Sequence, residues 1–127
     1  MRTHYRVLII EEQTLLALDI ESVLAERSPV EVTHFRRLAD APNLANLPAF
    51  DLAIVEARLG ASEVVAYTEG LVAAGIPTVV MSADRRSLVL FPHAAGLEKP
   101  FDSAGLLAAC GLATDRLAEM RDGRHLR

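Results

Sequence analysis

The feature that most constrains this chain is a set of short apolar runs, each cut off by a polar or charged residue. Val7-Leu8-Ile9-Ile10 ends in Glu11-Glu12, Leu52-Ala53-Ile54-Val55 ends in Glu56, and Thr78-Val79-Val80-Met81 ends in Ser82. Gly96-Leu97-Glu98 is a shorter run of the same kind, ending in Lys99. Short apolar runs rich in β-branched residues read as strands buried on both faces. Val30 to Phe35 alternates instead, as a strand with one wetter face does.

Between these runs the period changes. Leu16, Ile20, Val23, Leu24 and Arg27 follow helical spacing, and Pro29 closes that segment. Arg37 to Leu47 reads as a weaker helix interrupted by Pro42, and Arg58 to Ser62 as a loop. Glu63 to Ala74 is predicted helical, with Val64, Tyr67, Leu71 and Val72 on one side and Gly75 as its stop. Ala83 to Ala95, cut by Pro92, reads as irregular or as a single turn at Ser87 to Phe91. A last helix starts near Asp102, a suitable N-cap, and carries Leu106, Leu107, Cys110, Leu117 and Met120.

Strands and helices therefore alternate through 127 residues. That pattern implies a single α/β domain over residues 1–127, with a core at about 6–120 and a polar, frayed tail at 121–127. The sheet is parallel, with helices on both faces and right-handed crossovers. A hydrophobic share of 51% supports a packed core and argues against disorder. A net charge of −4 argues against sequence-independent nucleic-acid binding, which needs phosphate-neutralising Lys and Arg. The lone Cys110 gives no disulfide framework, and no apolar run approaches a membrane span of roughly 20 residues. A cytoplasmic protein is the expectation.

In open α/β sheets, sites form outside the carboxyl ends of the strands, where the strand order reverses. The residues that finish the buried runs are Glu11, Glu12, Glu56, Ser82 and Lys99. Three carboxylates, one hydroxyl and one ammonium are thus expected to converge on a shallow pocket. Clustered carboxylates repel unless a cation joins them. Lys99 supplies one positive charge, and a magnesium ion would supply more through carboxylates, waters and a phosphoryl oxygen. Such a layout suits a phosphoryl group.

These four motifs, in this order and with Lys99-Pro100-Phe101 closing the last, resemble those of response-regulator receiver domains. The resemblance spans Arg6 to about Met120. It implies a flavodoxin-like sheet of order 2-1-3-4-5 and a role in two-component phosphorelay signalling. It also implies magnesium on Glu11 and Glu12, a phosphoacceptor position at Glu56, a phosphate pocket at Ser82 and Lys99, and a cis Lys99–Pro100 bond. Partners would be a sensor histidine kinase or a downstream signalling protein, with a homodimer as a further option.

The departures from the family pattern are specific. Glu56 stands where the family has aspartate, and its extra methylene displaces the carboxylate by more than ~1 Å, enough to cost on the order of 10²-fold in rate. A Glu-Glu pair suits magnesium's strict octahedron less well than a pair containing aspartate. No aromatic lies between Ala94 and Glu98, and the stretch from Ser82 to Lys99 is short, so the fourth helix is expected to be short or missing. Asp51 begins its strand and cannot serve as acceptor from the opposite edge.

The expected function is an atypical, stand-alone receiver-type module, not an enzyme, that acts through protein contacts without standard aspartyl phosphorylation. Two alternatives stand beside it. One is a receiver phosphorylated on Glu56. The other is a small flavodoxin-like cofactor-binding domain, opposed by Glu11-Glu12 where a phosphate loop would lie. Plainer roles are open for single residues: Glu11 and Glu12 as solvated strand ends, Lys99 as a partner of Glu56, Ser82 as a cap of the next loop. His4, His34, His93 and His125 lack metal spacing and read as surface residues, and Cys110 reads as a small buried hydrophobe.

Overall fold

The computed structural model describes residues 4–58 and 61–123. Five strands form one parallel sheet: β1 Tyr5–Ile10, β2 Val30–Phe35, β3 Leu52–Glu56, β4 Thr78–Ser82 and β5 Ala95–Glu98. Their order is β2-β1-β3-β4-β5, as the resemblance implies. The chain leaves β1 to one side for β2 and returns to its other side for β3, so the strand order reverses between β1 and β3. Three α-helices accompany the sheet: α1 Thr14–Ala25, α2 Ala61–Ala73 and α3 Ser103–Gly123.

The central runs are apolar at nearly every position because both faces of the sheet are covered. Successive strand residues point to opposite faces. Val7, Ile9, Leu52, Ile54, Val79 and Met81 belong to the core shared with Ala17 and Ile20 of α1 and Leu106 and Ala109 of α3. Leu8, Ile10, Ala53, Val55 and Val80 belong to the opposite core, with Val64 and Leu71 of α2. Edge strand β2 is only half-buried, which is why its sequence alternates. Gly75, at φ +84°, ends the α2 segment, and the N–H of Ile76 closes back onto the carbonyl of Leu71 at 3.0 Å.

The predicted helix at Arg37 to Leu47 does not form. Two 3₁₀ turns, Leu38–Asp40 and Leu44–Asn46, take its place. Pro42 offers no N–H and holds Ala41 extended at φ −69°, ψ 158°. The Asn43 side chain then accepts from the N–H of Ala45 at 2.8 Å and fixes the second turn. Tertiary contacts retain the segment: the Tyr67 hydroxyl donates to the carbonyl of Pro42 at 2.7 Å, and Leu44 packs so closely on Gly70 that a Cβ there would lie 2.4 Å from its Cδ1.

The fourth helix is indeed short, reduced to a 3₁₀ stretch at Arg85–Leu90. Helix α1 stops at Ala25, before Arg27 and Pro29. Helix α2 starts at Ala61, so Ser62 is helical and not part of the expected loop; Leu59 and Gly60 lie outside the described residues. Asp102 caps α3, its Oδ1 accepting from the N–H of Gly105 at 2.7 Å. That helix runs past Met120 to Gly123, so the predicted tail boundary falls inside it, while residues 124–127 lie outside the described residues. Among the described residues no helix is long and apolar enough to cross a membrane.

Candidate functional site

Ladder hydrogen bonds carry the sheet one residue beyond its strand ends. The N–H of Glu11 donates to the carbonyl of Phe35 at 3.0 Å, and that of Lys99 to the carbonyl of Ser82 at 2.8 Å. The two-residue alternation therefore continues through the residues that finish each run. Glu11 follows Val7 and Ile9, Glu56 follows Leu52 and Ile54, and Lys99 follows Ala95 and Leu97, all on the face covered by α1 and α3. Glu12 and Ser82 have the opposite parity.

The side chains follow that division. The Lys99 ammonium donates to Glu11 Oε1 at 2.7 Å and also to Glu56 Oε2. Both carboxylates are almost fully buried, with side-chain exposures of 1% for Glu11 and 4% for Glu56 against 16% for Lys99. The other oxygens are held locally. Glu11 Oε2 accepts from the N–H of Gln13 at 2.9 Å, and Glu56 Oε1 from the N–H of Arg58 at 3.0 Å. Burial pulls the Lys99 ammonium toward deprotonation, but the hydrogen bonds and charges of Glu11 and Glu56 outweigh it and hold its pKa above the ordinary lysine value.

Glu12 and Ser82 do not join the cluster. Glu12 is exposed and takes a hydrogen bond from the Arg58 guanidinium at 2.9 Å. The Ser82 hydroxyl donates to the carbonyl of Asp84 and accepts from the Asp84 N–H, both at 3.0 Å, with the Ser87 hydroxyl 2.8 Å away. Its geometry is that of a cap on the turn after β4. The expected convergence of five groups is thus a convergence of three, Glu11, Glu56 and Lys99. Asp51 lies at the other end of β3, its Oδ2 accepting from the N–H of Arg6 at 2.8 Å. The Lys99–Pro100 bond is cis.

Three residues that sequence reasoning passed over shape the site. Arg58 bridges the loops after β1 and β3, through its N–H to Glu56 and its guanidinium to Glu12. Gln13 orients Glu11 through backbone alone, which no side-chain motif reveals. His34, expected at the surface, is half-buried and donates from Nε2 to the carbonyl of Glu11 at 2.8 Å. The alternation of β2 carries a signal for it, since His34 lies in register with Ile9. Beside the cluster opens a cavity of about 380 Å³ lined by Glu56, Arg58, Ser82, Ser87 and Lys99 among others.

This donor set fits a magnesium ion poorly. All four carboxylate oxygens of Glu11 and Glu56 already accept a hydrogen bond, and the ammonium stands between the two groups. Magnesium asks for oxygen ligands in a near-ideal octahedron; here Lys99 stands between Glu11 and Glu56, and Glu12, the other expected ligand, is engaged with Arg58.

No family model matches the sequence, and no curated protein matches it. Solved structures do share its fold. The signal receiver domain of an HD domain-containing protein from Pseudomonas fluorescens Pf-5 is similar at 17% identity and a TM-score of 0.72, over 96% of this chain and 95% of that one. A response regulator receiver protein from Sinorhizobium medicae reaches 24% identity and a TM-score of 0.72, over 90% and 97%. A Burkholderia pseudomallei response regulator, solved with a phosphorylated aspartic acid and a calcium ion, reaches 21% and 0.69, over 91% of this chain and 72% of that one. The likeness is one of architecture: this chain has the fold of response-regulator receiver domains.

Proposed function

We propose that this chain is an atypical receiver module of two-component signal transduction, one that works through contacts with a partner protein and without aspartyl phosphorylation. The observation that carries the reading is Glu56: the carboxylate that ends β3 is a buried glutamate already bound to Lys99. The similar Burkholderia pseudomallei protein carries its phosphoryl group on an aspartic acid. Here a longer carboxylate has both oxygens engaged, and each hydrogen bond draws electron density from the oxygen that would attack. The Ser82 hydroxyl is likewise engaged with its own turn, which supports a pocket that does not switch on a phosphoryl group. The partner is a sensor kinase or a downstream signalling protein.

The test is incubation with acetyl phosphate and magnesium, read by intact mass, for the natural protein and for Glu56→Asp. The expected result is no phosphoryl adduct on the natural protein. An adduct that Glu56→Gln abolishes would overturn the reading and make Glu56 the acceptor.

A further inference from the structure

We propose that Lys99 is the resident cation of this pocket: its ammonium takes the place of a divalent metal between Glu11 and Glu56 and thereby excludes one. The inference deepens the proposed reading of the same site, but it rests on the ion cluster and not on whether a phosphoryl group is ever accepted.

Three observations lead to it. The first is connectivity. A divalent cation at the carboxyl end of this sheet would bridge the carboxylates that end β1 and β3, the strands that flank the reversal of strand order. Lys99 makes that bridge itself, from beyond β5 and across β4, touching one oxygen of each carboxylate. The second is charge. Glu11, Glu12 and Glu56 face two cations, Lys99 and Arg58, so a single negative charge is left uncompensated and little remains to attract a metal. The third is reach. Both bridged groups are glutamates, whose extra methylene carries each carboxylate further from its strand, to where Lys99 meets both.

The arrangement makes the state of the pocket independent of the divalent-cation concentration around it. Taking the ammonium away leaves two buried carboxylates facing one another, and a metal ion is then the natural replacement.

The experiment follows thermal unfolding of the natural protein, Lys99→Met and Lys99→Gln over a magnesium titration, with calcium as a second cation. The natural protein should keep its melting temperature to within about 1 °C up to ~10 mM, whereas Lys99→Met, folded or recovered by the metal, should rise by ~5 °C or more. Lys99→Gln, whose amide can still donate to a carboxylate, is the milder variant and should rise in the same way. A natural protein stabilised by either cation overturns the proposal. So do folded variants that gain nothing, and so does failure of both variants to fold even with the cations present, because a metal would then not replace the ammonium. Phosphorylation is read separately by mass, so this proposal and the functional reading can fail independently.

Discussion

Removing Lys99 should cost this protein far more than removing a surface lysine. At 2.7 Å and an effective dielectric constant of about 20, the Lys99–Glu11 pair has a gross attraction of about 6 kcal/mol. Most of that offsets the desolvation of the buried ions, so the pair itself contributes little net stability. Breaking it is another matter. Lys99→Met leaves Glu11 and Glu56 buried, charged and without their shared cation, and a stranded buried charge costs ~3–5 kcal/mol. A domain of this size has roughly 5–15 kcal/mol of total stability, so the variant should lose about a fifth of it or more.

Glu56→Gln should cost less, about 1–2 kcal/mol, because Lys99 keeps Glu11 and the amide oxygen can still accept its hydrogen bond. Urea unfolding followed by far-ultraviolet circular dichroism measures both values under one linear extrapolation. A loss below about 1 kcal/mol for Lys99→Met, the range of exposed ion pairs, would refute the reasoning, as would a larger loss for Glu56→Gln than for Lys99→Met.

Two further expectations come from other parts of the molecule. Burial pushes the Cys110 thiol up to about 11 from an ordinary 9.0, so native Cys110 should react with iodoacetamide at pH 8 about two orders of magnitude more slowly than in urea. The unfolded thiol ionises first, so the native state holds the extra proton between these values and stability falls as pH climbs through them; Tyr5, Tyr67 and Lys99, all raised, act in the same direction at higher pH. On α2, the Oγ1 of Thr68 is buried and has no hydrogen-bond partner among the described residues, so the isosteric Thr68→Val should raise stability by ~1 kcal/mol in the same urea assay, and a loss would reveal an unseen partner.

What the sequence made legible follows from burial. Strands covered on both faces leave unbroken apolar runs, so β1, β3 and β4 could be read together with the polar residues that end them. Glu11, Glu56 and Lys99 were found in that way, and the strand order came with the resemblance to receiver domains. The segment at Arg37 to Leu47 was misread because its apolar spacing suits a helix, while Pro42 and the pull of Tyr67 and Gly70 on α2 decide its course. Gln13 and Arg58 were missed because each holds a carboxylate through its backbone N–H, a donor nearly every residue possesses.

The sorting of the five candidates into three that meet and two that do not was, by contrast, open to sequence reasoning. A strand's alternation does not stop where its hydrophobic run stops, because the ladder hydrogen bonds continue one residue further. Counting by twos from Ile9, Ile54 and Leu97 reaches Glu11, Glu56 and Lys99; counting from Ile10 and Val80 reaches Glu12 and Ser82. The first count selects a face backed by α1 and α3, where charges are enclosed and must neutralise one another. The second selects positions that settle with neighbours close at hand, Glu12 with Arg58 and Ser82 with the turn at Asp84. A lysine confined with two buried carboxylates is therefore a consequence of register as much as of residue type.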